Sequence, residues 1–281
     1  LLKEFEAGLN AYLGTKDCAV VSNGTVAIQV ALQALGIKRE VITTPFSYVA
    51  TTSTIVWEGC TPVFADIDAK TFNIDPVQIE SAITEKTSAI LATHVFGVPC
   101  DVEAIERIAK THNLKVIYDA AHCFGTKING VSILNYGDRS TLSLHATKLM
   151  HSVEGGAIFV NDSSSKVEGL TEPVSPLRYT VNRLRNFGHF GPEVFDGVGI
   201  NAKNSEIHAA IGLVNLRYAE EIMADRKRQH KRYDEGLAAL ALIQPQVAEN
   251  IDWNKSYYPV VFNSEEEALH VLDGLEACGI Y

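Results

Sequence analysis

The chain has 281 residues, 46% of them hydrophobic and 21% charged, with a formal net charge of -10 and a pI near 5.4. That size allows one large core and a smaller appendage, and the acidic balance argues against a nucleic-acid partner, whose phosphates need clustered Lys and Arg. Apolar runs break before the roughly 20 residues a membrane span requires, there is no basic-then-apolar leader, and the five cysteines are scattered without a C-x-x-C pair, so a cytoplasmic protein without membrane, disulfide framework or metal is expected.

In chain order, an amphipathic helix, LLKEFEAGLNAYLG, comes first and has no Met before it. Seven short apolar strands follow: CAVVS, EVITT, TPVFADI, SAILATHV, KVIYDAA, STLSL and GAIFV. Helical patterns such as TVAIQVALQAL, PVQIESAI and CDVEAIERIAKTHN separate those of the first half. This alternation predicts an α/β fold: a mostly parallel central sheet with helices on both faces, joined by right-handed crossovers. Ligands of such sheets gather at the C-terminal ends of the strands, where Ser22 to Thr25, Thr44 to Tyr48 and Asp119 to His122 fall. Past residue 160 the pattern loosens, and a long helix, SEIHAAIGLVNLRYAEEIMADRKRQHKRYDEGLAAL, is expected to bridge to a second domain. The expected division is a large α/β domain over 1–215, then the bridging helix and the start of a small C-terminal α+β domain over 216–281. Strand-like SYYPVVF and helix-like SEEEALHVLDGLEACG cannot cover each other's apolar faces. Both ends are therefore expected to be cut and the small domain incomplete.

Lys148, in STLSLHATKLMHSVEGGAIF, lies a short way after VIYDAAHCFG, which carries Asp119. A lysine for a Schiff base, an acid to hold a pyridine nitrogen protonated and an upstream small polar loop for a phosphate are the parts that pyridoxal 5'-phosphate chemistry needs. SNGTVA ends a strand and opens a helix, so its N–H groups and the Thr25 hydroxyl can cradle a phosphate; a plain N-cap turn is the commoner origin of such a sequence. It lacks both the Walker and the dinucleotide glycine patterns. Asp119 ends an apolar strand, where a carboxylate is costly without a positive partner such as a pyridinium; a helix-capping Asp is the alternative. His122 can reach a phenolic oxygen or serve structure alone. Ser143, five residues before Lys148, can reach the phosphate while Lys148 reaches the aldehyde carbon, and Glu154-Gly155-Gly156 lets backbone approach closely. A desolvated pocket would favour the neutral amine of Lys148, and Tyr48 offers an aromatic face for a ring.

SNGTVAIQVAL, TTPFSYVATTSTIVWEGCTPVFADID, HVFGVPCDVEAI, VIYDAAHCFG, SLHATKLMHSVEGGAI and GINAKNSEIHAAIGL, in this order, resemble the DegT/StrS family of nucleotide-sugar aminotransferases over nearly the whole chain. The resemblance implies a fold type I PLP-transferase of the aspartate aminotransferase superfamily. It implies that Lys148 carries the cofactor, that Asp119 pairs with the pyridine nitrogen and that His122 contacts the ring oxygen. Gly24, Thr25 and Ser143 would hold the phosphate and Tyr48 would stack on the ring, with Asn201 reaching the phosphate from the partner subunit of a homodimer with shared active sites. The sequence departs from the family where Lys203-Asn204 replaces an Arg-Met pair and where IKREVIT is shortened.

The implied reaction moves an amino group from L-glutamate to a nucleotide-linked, dTDP-bound keto-6-deoxyhexose, giving an amino-deoxysugar for lipopolysaccharide O-antigen or glycoside assembly. Two alternatives stand beside it. Sugar dehydratases of the family carry a histidine where Lys148 stands, and a non-catalytic ligand-binding regulatory protein could share the fold.

Overall fold

Each predicted strand alternates between two apolar faces, and this alternation forms the architecture. The structure, a computed structural model, describes residues 1–161, 176–240 and 242–280. The chain runs through α1 (Leu2–Leu13), β1 (Cys18–Val21), α2 (Gly24–Ala34), β2 (Glu40–Thr43), α3 (Val49–Trp57) and β3 (Thr61–Phe64). Next come α4 (Pro76–Ser81), β4 (Thr87–Thr93), α5 (Val102–His112) and β5 (Lys115–Asp119). A small hairpin, β6 (Lys127–Ile128) and β7 (Val131–Ser132), precedes β8 (Arg139–Ser143) and β9 (Gly156–Val160). The seven expected strands form one sheet in the order β1-β9-β8-β5-β4-β2-β3. Pairings from β3 through β2, β4 and β5 to β8 are parallel, and β9 is antiparallel to both β8 and β1. Two reversals cancel, so β1 points the same way as β8.

Successive strand side chains point to opposite faces, and the two cores divide accordingly. Cys18 and Val20 of β1, Ile90 and Ala92 of β4, Val116 and Tyr118 of β5, and Ala157 and Phe159 of β9 bury on one face with α1, α4 and α5. Their neighbours Ala19 and Val21, Ala89 and Leu91, Ile117, and Ile158 and Val160 bury on the other with α2 and α3. Both faces are apolar, as expected of a covered parallel sheet. Glu6 of α1 is buried at 2% exposure. It is compensated by the Val20 N–H at 3.0 Å, by Arg185 at 2.7 Å and by Arg178. A buried carboxylate requires such partners, and they hold α1 against the first strand.

The remaining elements are α6 (Pro176–Leu184), the hairpin β10 (His189–Phe190) and β11 (Val194–Phe195), α7 (Glu206–Arg217), α8 (Ala219–Gly236), β12 (Ile251–Asp252), which pairs with β6, and α9 (Glu265–Ala277). The single long helix expected from SEIHAAIGL onward is two helices. Tyr218 leaves helical geometry at φ -102°, ψ 5°, and its N–H closes a tight turn on Asn215. SYYPVVF forms no extended strand and contributes one bridge, Val261 to Ile243.

Gly156 sits where three strands meet, opposite Val21 on one side and Ser143 on the other. A Cβ there would lie 2.3 Å from the Asn23 carbonyl oxygen and 2.8 Å from the Gly24 nitrogen. Backbone cannot yield as a side chain can, so Gly156→Ala is expected to cost about 1–3 kcal/mol. Urea unfolding of the two proteins measures this; equal stability would show that the turn after β1 moves freely.

Candidate active site

Because β1, β5 and β8 run the same way, their C-terminal ends share one edge, and β9 starts there. The turn after β1 opens α2, whose leading N–H groups lack intrahelical acceptors. Asn23 caps it, its side-chain oxygen accepting from Val26 N–H at 2.8 Å. Gly24 backs directly onto Ser143, and a Cβ at Gly24 would lie 2.9 Å from Ser143 Cβ. The strand ends thus bring Gly24 and Thr25 together with Ser143, which is distant in sequence.

Asp119 ends β5 and is 7% exposed. One carboxylate oxygen accepts from the Thr51 hydroxyl at 2.7 Å and the other from Ala121 N–H at 3.1 Å. Burial pushes its carboxyl above the ordinary value, while Thr51, Ala121 and the nearby Lys148 charge pull it back. The half-buried Lys148 is displaced downward by desolvation, against the opposing pull of Asp119. Desolvation, reinforced by the Lys148 charge, lowers His122 to about 4, so its ring is neutral near pH 7. The backbone carbonyl of His122 accepts from Asn254 Nδ2 at 2.7 Å, and its ring packs 4.6 Å from that of Tyr257.

A cavity of about 500 Å³ collects Gly24, Thr25, Tyr48, Asp119, His122, Ser143 and Lys148 on its walls. Tyr48, at the start of α3, is 77% exposed, so no core packing claims its ring. Asn201 is not on these walls; it is exposed and accepts from Lys203 Nζ at 2.8 Å. Asn204 is buried and donates to the carbonyls of Val21 and Glu154 at 3.1 and 3.2 Å, tying the end of β1 to the turn before β9.

The residues present fit pyridoxal phosphate. His122 Nδ1 is buried with no partner among the described residues, Gly24, Thr25 and Ser143 meet at the N-terminus of α2, and a buried carboxylate and a half-buried amine line the same space. No group of His, Cys, Asp and Glu among the described residues could hold a metal ion. Sequence reasoning missed Thr51, Asn254 and Tyr257. The TT of VATTST is visible in the sequence, but which hydroxyl meets Asp119 depends on how α3 packs.

The family model for the DegT/DnrJ/EryC1/StrS aminotransferase family matches residues 1–280. A protein of Shigella dysenteriae, dTDP-4-amino-4,6-dideoxy-D-glucose transaminase, is 41% identical over 266 residues, 94% of this chain and 69% of that protein. Among solved structures, the crystal structure of DesI in the presence of its TDP-sugar product superposes with a TM-score of 0.86 at 32% identity, covering 97% of this chain and 68% of DesI. The PLP form of Spr1654 from Streptococcus pneumoniae gives a TM-score of 0.88 at 26% identity, covering 99% and 75% of the respective chains.

The Thr51 bond generates a prediction whose sign follows from Asp119. A carboxyl raised above 3.8 by burial binds its proton more tightly in the folded state, so stability falls as pH rises from the unfolded value through the folded one. Thr51→Val removes a donor to the ionised form and widens that gap. The expected loss is about 1.5–3 kcal/mol at pH 7.5, shrinking toward pH 4 as Asp119 takes up its proton. Thr51→Ser keeps the hydroxyl and most of the stability. Urea unfolding at the two pH values checks this, and a loss independent of pH would assign Thr51 to packing alone.

Proposed function

Because the chain belongs to the DegT/DnrJ/EryC1/StrS aminotransferase family, we propose that it transfers an amino group from L-glutamate to a nucleotide-linked keto-6-deoxyhexose, with pyridoxal phosphate as cofactor. The observation that carries this reading is the meeting of Lys148 with buried Asp119 and neutral His122 in one cavity at the strand ends. The name of the Shigella relative points to a dTDP-linked substrate aminated at C4. In the same reading the product feeds surface polysaccharide or glycoside assembly in the cytoplasm; no described helix is long and apolar enough to cross a membrane. Residues 1–215 form the cofactor-binding domain and 216–281 belong to the small one.

When bound, pyridoxal phosphate supplies an electron sink and carries the amino group between substrates. Gly24, Thr25 and Ser143 would hold its phosphate with hydroxyls and the N-terminus of α2. Asp119, whose carboxylate accepts from Thr51 and Ala121, would pair with the ring nitrogen, His122 with the ring oxygen and Tyr48 with the ring face. Lys148 Nζ, whose neutral form burial favours, takes the α-proton of the donor and gives a proton back, acting as base and then acid. Retention of this lysine favours amination over dehydration. Asn201 lies off its own cavity, which fits a homodimer in which it serves the partner's site.

The test is to incubate the protein with glutamate and a panel of 3-keto and 4-keto sugar nucleotides and identify products by mass spectrometry and NMR. A dTDP-linked 4-amino sugar and 2-oxoglutarate are expected. Asp119→Asn is expected to fold and lose at least about 100-fold in rate, the scale of removing an electrostatic partner for developing charge. Near-normal turnover by Asp119→Asn would make the acid structural, and ammonia release without amination would indicate a dehydratase.

A further inference from the structure

A second cavity, about 270 Å³, opens beside the first and shares Ala121, His122, Ser143, Thr147 and Lys148 with it. Its own contributors include Arg226 from α8 and Tyr257 from the segment after β12. Of the other Lys and Arg residues on α8, Lys227 pairs with Asp252 at 2.7 Å, Arg228 with Asp225 at 2.6 Å and Lys231 with Glu235 at 3.7 Å, while Arg232 is exposed to solvent. Among the described residues, Arg226 has no such carboxylate partner, although it is half-buried and lines this cavity. A guanidinium partly withdrawn from water gains most from a planar or tetrahedral oxyanion, which its fork of N–H groups matches.

Tyr257 stands beside it. Its ring is fixed between His122, at 4.6 Å, and Phe96, at 6.0 Å. Arg226 and Tyr257 line the same cavity, and the Arg226 charge favours the ionised form of the Tyr257 hydroxyl against the larger effect of burial. The Ser256 hydroxyl is already engaged with the His122 carbonyl at 3.3 Å, whereas Tyr257, which also lines the cavity, brings a further hydroxyl.

We propose that Arg226 and Tyr257 form an oxyanion subsite for the reacting substrates, taking a carboxylate or phosphate group of a molecule whose amine or keto carbon is held at Lys148. The subsite deepens the proposed transamination and rests on it. Lys148 lines both cavities, so an anion at Arg226 lies within the length of one small molecule from the reacting amine. A donor amino acid carries its carboxylate one bond from the amine-bearing carbon. A sugar nucleotide carries its diphosphate across the sugar ring.

Titration calorimetry with glutarate and with thymidine diphosphate, on the full chain and on Arg226→Gln, decides between these sources. At least one probe is expected to bind the variant about 10- to 100-fold more weakly, the worth of a charge-assisted hydrogen bond. Loss for glutarate alone assigns the subsite to the donor carboxylate, loss for thymidine diphosphate alone to the phosphate, and loss for both to a site the two substrates share. Tyr257→Phe leaves the ring in place and removes only the hydroxyl. It provides a second reading should Arg226→Gln fail to fold, with an expected loss of about 3- to 10-fold for the same probe. Unchanged affinities in the folded variants, or no binding of either probe to the unaltered protein, would overturn the proposal. Formation of 2-oxoglutarate from glutamate and a 4-keto sugar nucleotide by the unaltered protein is followed in parallel. Its absence counts against transamination, whereas turnover with unchanged probe binding counts against the subsite alone.

Discussion

An ionisable carboxylate buried at the end of an apolar strand is the constraint on which the rest of this site depends. Asp119 gives up solvation and has two donors, Thr51 and the Ala121 N–H, to offset the loss. Neither donor carries a charge, so desolvation still dominates and the acid remains above its ordinary range. A positive charge facing it would remove that excess, and Lys148 supplies part of it through space. The same low-dielectric surroundings lower Lys148 and keep His122 neutral. One desolvated pocket thus perturbs an acid, an amine and an imidazole together, a pattern associated with function more often than with structure.

The topology is what brings these groups to one place. Reversal of β9 lets β1 run with β8, so the N-terminus of α2 faces the same edge as Asp119 and Ser143. Close approach at Gly24 and Gly156 removes side chains from the seam between the turn and the strand ends. Asn204, which stands where the resembling family has Met, ties the β1 end to the Glu154 turn. From the other side, Asn254 and Tyr257 fix the backbone and ring of His122. Asn254 is fully buried, and its amide donates to the carbonyls of both His122 and Phe124.

Much of this was legible in the sequence because strand period and strand-end chemistry are local. Each of the seven apolar runs became a strand of the main sheet, and Lys148, Asp119, His122 and Ser143 stand out by residue type and spacing. What was not legible depends on contacts distant in sequence. Thr51 meets Asp119 across 68 positions and Asn254 meets His122 across 132, and no local pattern encodes either. The break at Tyr218 escaped for a different reason. The hydrophobic pattern runs through it without a Gly or Pro, so helical periodicity alone predicts one continuous helix. Glu6 escaped because a lone Glu on an amphipathic helix reads as surface until Arg178 and Arg185 close on it.

The central claim is that Lys148 is the amine this desolvated pocket was built around, and it is open to direct chemical test. The protein is loaded with pyridoxal phosphate, treated with borohydride and digested, and the modified peptide is identified by mass spectrometry. The account predicts cofactor mass on the peptide that contains Lys148, and none in Lys148→Ala. Attachment to a different lysine, or the same labelling in Lys148→Ala, would contradict it.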